Sequence, residues 1–114
     1  MPRLSDDTLL QRAILVSIEG CLEKARKVIV NTGPNHESEK WELRVVQFSN
    51  LIGRKLSTFT PEERQVALEI ASFATQTLRA RLGMHPHAFS DDAKRFVPHF
   101  DALSRRLLEL SPTE

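Results

Sequence analysis

Apolar residues recur along this chain at intervals of three and four, the spacing that gathers them on one side of an α-helix. No useful stretch alternates with the period of two that marks a half-buried strand. Ser5-Asp6-Asp7 offers a capping hydroxyl followed by two acids, and Asn31-Thr32-Gly33-Pro34 reads as a glycine stop with a proline behind it. A first helix is therefore predicted over about 6–31. On its wheel Leu10, Ile14, Leu15, Ile18, Cys21, Leu22, Ala25, Val28 and Ile29 fall in an arc of about 140°, with Arg12, Glu19, Glu23 and Lys27 opposite.

Trp41, Val45, Phe48, Ile52 and Leu56 place a second helix at about 38–57. Thr60-Pro61-Glu62-Glu63 is a helix start with every part present: Thr60 to cap, Pro61 for the first helical position and Glu63 to close a capping box. The third helix is predicted over about 61–82, stopped by Gly83. Ala67, Ala71 and Ala74 line one side of it, small enough to let another helix come close. The last segment, about 91–110, carries Pro98, so the helix either kinks or restarts there. Phe96, Phe100, Leu103, Leu107 and Leu110 share an arc of about 80° on a continuous wheel, which favours a kinked single helix.

Short connections between amphipathic helices predict one all-α domain over residues 1–114, an antiparallel four-helix bundle in up-down-up-down order. The first helix would be about 39 Å long, against about 20 Å for the part of the last one after Pro98. Part of the first helix's apolar stripe is then left for a second chain.

Composition narrows the function classes. With 16 basic and 15 acidic side chains the 114-residue chain has a net charge of +1, which denies it the basic field of a dedicated nucleic-acid binder. The apolar share of 40% is too high for a disordered tail. Basic residues do bunch toward the predicted helix ends, as Lys24, Arg26 and Lys27, Arg54 and Lys55, Arg79 and Arg81, and Arg105 and Arg106. The acids Glu37, Glu39, Asp91 and Asp92 fall in the same neighbourhood, and acids in opening turns with bases toward the ends complement the helix dipoles. A nucleic-acid-binding surface therefore ranks last. Cys21 is the only cysteine, so neither an intrachain disulfide nor a four-thiolate zinc site can be built, and its place in the apolar arc makes it a small hydrophobe. The longest apolar run is Ala13-Ile14-Leu15-Val16, and the expectation is a cytoplasmic protein without a membrane span.

Candidate chemistry is sparse. His36, His85 and His87 are expected to gather at one end of the bundle, with His99 just beyond Pro98, but no pair has the fixed helical spacing of a metal site, and neither metal nor cofactor is expected. Glu39 and Glu42 have the spacing of a metal-binding carboxylate pair, yet acids in a first helical turn explain them as well. No Gly-x-Ser-x-Gly or phosphate-cradling glycine loop is present. Arg79 and His85, like Arg81 and His87, have five residues between them at the end of the third helix. This spacing looks like that of the HEPN helical-bundle ribonucleases, and the resemblance implies that Arg79 and His85 would cleave an RNA phosphodiester across a dimer.

Surplus apolar positions carry the leading expectation. Leu43 and Val46 project away from the Trp41 face of the second helix, and Leu9 and Val16 away from the main stripe of the first. They mark a small non-enzymatic regulator that works as a homodimer and binds another protein through an apolar helical surface. An inhibitor, an anti-activator acting on a transcription regulator and a chaperone-like adaptor for a secretion substrate all fit the size and charge.

Overall fold

Local punctuation sets where the helices begin. The computed structural model describes residues 4–84 and 90–110. Helix α1 (Asp6–Thr32) starts at Ser5, whose hydroxyl accepts the Thr8 backbone N–H, and ends at Gly33, whose φ of 76° suits the glycine stop read from the sequence. Helix α2 (His36–Ser49) is capped by Asn35, which accepts from the backbone of Glu37 and Ser38 while the Ser38 hydroxyl accepts from the Asn35 N–H. Helix α3 (Pro61–Met84) opens on the expected capping box: Glu63 N–H donates to Thr60 Oγ1 at 3.2 Å, and Thr60 N–H donates to Glu63 Oε1 at 2.9 Å. Helix α4 (Ser90–Leu110) follows, and there are no strands among the described residues.

Two helix ends differ from expectation. The second helix stops at Ser49 rather than near 57, because turns at 50–53 lead to Gly53 at φ 79° and a short 3₁₀ turn at Leu56–Thr58. Side chains from α1 hold this segment: Gln11 Oε1 accepts from Gly53 N–H at 2.8 Å, and Asp7 Oδ1 accepts from Leu56 N–H at 2.9 Å. Gly83 does not end the third helix, which runs on to Met84. The fourth helix agrees with the single helix that its shared apolar arc favoured: α4 is continuous through Pro98, with Phe100, Leu103 and Leu107 fully buried.

The helices form a compact bundle with α1 at its centre. It packs against α2, α3 and α4, while α3 packs along α4. Along α1 and α3 the contacts advance together. The Ser17 hydroxyl donates to the Ile70 carbonyl at 3.0 Å, Gly20 lies against Phe73 and Thr77, and Arg81 reaches Glu19 at 3.2 Å. These two helices thus run the same way, the diagonal pair of an up-down-up-down order, with the diagonal closed by small residues. Ala67, Ala71 and Ala74 are fully buried, as their size predicted.

Helices α2 and α4 lie on the two sides of this central pair. From α2, Trp41 reaches Phe73 of α3 with ring centroids 5.7 Å apart, and Arg44 pairs with Glu69. On the other side Arg106 of α4 pairs with Asp6 at 2.6 Å, and the Arg12 guanidinium stands 5.6 Å from the Phe96 ring centroid. Acids occupy the opening turns of α1, α2 and α3, but no base lies in the last turn of α1, α2 or α4. The expected dipole pattern therefore holds at the starts of these three helices and, through Arg81, at the end of α3 alone. Arg44, Arg79, Arg81 and Arg106 instead tie one helix to another.

Candidate functional site

The most distinctive surface is apolar. On α2, Leu43 is 68% exposed and Val46 58%, while Phe48 is fully buried and Trp41 and Val45 face inward, half-buried. With Arg44 turned toward Glu69 of α3, Leu43 and Val46 are left on the outward side, where they and Glu39 and Glu42 line a shallow depression. Their outward position is the one expected from the sequence.

It misplaced the other two. Leu9 is buried at 2% exposure, and Val16 is half-buried and packed on the core. The reason is α4, which covers the flank of α1 that carries them, as the Asp6 to Arg106 ion pair and the Arg12 to Phe96 contact show. Neither residue is an accessible interface position. The exposed apolar side of α1 is the opposite one: Leu15 at 54%, Leu22 at 46% and Ile29 at 37%. Their seven-residue spacing was the available signal, hidden because all three belong to the same wide arc as the core residues.

The polar candidates are dispersed. Arg79 pairs with Asp101 of α4 at 2.9 Å, so it already ties α3 to α4. His85 and His87 lie outside the described residues, and with them the arginine-histidine pairs and the expected histidine cluster. His36 is exposed at the start of α2, 3.7 Å from Glu39, and His99 meets the edge of Phe96 on α4. Among the described residues no three His, Cys, Asp or Glu side chains converge as metal ligands. Burial pushes the Cys21 thiol up to about 11 against the opposing pull of Arg44 and Lys24, so its thiolate is disfavoured.

Trp41 gathers cations that the sequence reading did not foresee. Lys24 Nζ stands 5.0 Å from its ring centroid, the Arg44 guanidinium 5.3 Å and Lys40 Nζ 5.8 Å. Their charges are partly answered by Glu69, and the tryptophan serves as a packing post between α1, α2 and α3.

Comparison with family models, curated proteins and solved structures finds no match to this chain. No helix among the described residues is long and apolar enough to cross a membrane. Any functional reading therefore rests on the surface.

Proposed function

We propose that this chain is a small non-enzymatic binding protein, working as a homodimer, that regulates, inhibits or escorts another protein through the outward face of α2. The observation that supports this reading is the exposure of Leu43 and Val46, three residues apart on one turn and uncovered by any described element. Glu39 and Glu42 border the pair. Lys40 and Arg44 border it as well, so the partner suited to this surface is a helix with an apolar ridge and flanks of both charges, laid against α2 in the manner of a helix in a groove.

The test is affinity capture from the native cell with the wild type, Leu43→Asp and Val46→Asp, read by mass spectrometry. The expected outcome is one dominant partner lost in both variants, whose helical circular dichroism is unchanged. A partner retained at the wild-type level by both variants would overturn the α2 assignment.

A further inference from the structure

The exposed apolar stripe of α1 faces away from α3. Its exposed members Leu15, Leu22 and Ile29 stand seven residues apart, one heptad position repeated, while the intervening Ile18 is half-buried against the core and Ala25 is buried. The stripe is about 21 Å long from Leu15 to Ile29. One end is marked by Gln11, which holds the 53–54 backbone against α1, and the other by Gly33.

Reversal of direction leaves the stripe matched to itself. Turned about Leu22, it sets Leu15 against Ile29, Leu22 against Leu22, and Glu19 against Arg26, both of which flank the stripe on the same side. Glu19 is largely exposed although it reaches Arg81, and Arg26 is exposed with no ion pair among the described residues. A surface that maps apolar onto apolar and acid onto base under a half-turn is self-complementary in the isologous sense. We infer that the Leu15-Leu22-Ile29 face of α1 is a two-fold seam on which a second copy of this chain docks antiparallel, with Glu19 of each copy facing Arg26 of the other.

Area sets the expected strength. With Ile52 at 44% exposure beside the Gln11 end, the stripe offers on the order of 220 Å² of apolar side chain, taking about 120 Å² for a fully exposed Leu, Ile or Val. Two copies bury about 430 Å² of it, and with a polar rim the contact totals about 750 Å², below the range of permanent complexes. The dimer is therefore reversible and dependent on concentration.

This inference extends the homodimer reading to a defined seam, and the experiment separates the two. Sedimentation equilibrium of the full chain from about 10 μM to 1 mM follows the mass of the wild type, Leu22→Glu and Leu43→Asp. The wild type and Leu43→Asp are expected to shift from monomer to dimer, and Leu22→Glu to remain monomeric at every concentration. As a second measurement, Leu15→Cys and Ile29→Cys proteins are mixed and oxidised. The antiparallel seam gives the mixed disulfide in excess over either symmetric one, and buried Cys21 does not compete. A dimer unaffected by Leu22→Glu overturns the seam and leaves the homodimer reading standing. Symmetric disulfides alone overturn the antiparallel order, and a wild type monomeric throughout overturns both.

Discussion

Gly20→Ala is the sharpest probe of how α1 and α3 approach one another. In an ordinary helix interior the substitution stabilises by about 1 kcal/mol, because alanine loses less backbone freedom on folding. Here a Cβ would lie 2.8 Å from Thr77 Oγ1, 2.9 Å from Phe73 Cε1 and 3.2 Å from Thr77 Cγ2. Rotating Thr77 offers little relief, since its two branches both line the site. Phe73 is 8% exposed and tilted against Trp41, so it too has little room to yield. Relief then requires the helices to part, which strains the Ser17 to Ile70 hydrogen bond. Overpacking of this kind costs about 1–3 kcal/mol, which outweighs the propensity gain and leaves a net loss of about 0–2 kcal/mol. Gly83→Ala is the internal control. That glycine is also helical, but nothing lies within 4 Å of its would-be Cβ. It is expected to gain up to about 1 kcal/mol, or about 4 °C in Tm. Urea and thermal unfolding followed at 222 nm check both, and adding Thr77→Ala to Gly20→Ala should recover part of the loss through a coupling of about 1 kcal/mol. A Gly20→Ala protein as stabilised as Gly83→Ala would refute the close approach.

Three further outcomes are expected. Glu63 is held down to about 2 by the Arg54 hydrogen bond first and the Thr60 backbone second, so its contribution to stability is present above the unfolded value near 4.5 and is lost as pH falls toward 2. The difference in urea midpoint between wild type and Glu63→Gln should accordingly be present at pH 7 and shrink by pH 2.5, and a pH-independent difference would contradict it. Cys21, buried with a raised thiol, should resist DTNB in the native state and react once urea unfolds the chain; full labelling within seconds in buffer would show that the α1 core face opens readily. Arg79→Ala should lower stability by up to about 1 kcal/mol through the exposed Asp101 pair, and RNA incubated with it should fare as with the wild type; cleavage by the wild type alone would revive the ribonuclease reading.

What the sequence disclosed and what it withheld divide along the distance over which each feature is determined. The Thr60 to Glu63 capping box, the Ser5 cap and the Gly33 stop involve neighbours in the chain, and their residue types are specific to the task. The end of α2 was misread because Val45, Phe48, Ile52 and Leu56 continue a helical spacing. What breaks that helix includes Gln11 and Asp7, side chains 42 and 49 residues away that take up the loop's backbone donors. Of the four positions that the sequence pattern marked as surplus apolar surface, only Leu43 and Val46 are exposed.

The misplaced face of α1 has a related cause. Apolar residues from Leu9 and Val16 round to Leu15 and Leu22 span more than half the circumference of that helix, so the pattern says which positions are apolar but not which edge is covered. Coverage is decided by the closed diagonal. Ser17 and Gly20 draw α1 onto α3, which turns Leu9 and Val16 toward the α3 and α4 side and leaves Leu15, Leu22 and Ile29 outside. Two small residues therefore select which apolar edge this chain presents. A bulkier side chain at position 20 should disturb that choice along with stability, linking the packing of the core to whatever the outer stripe binds.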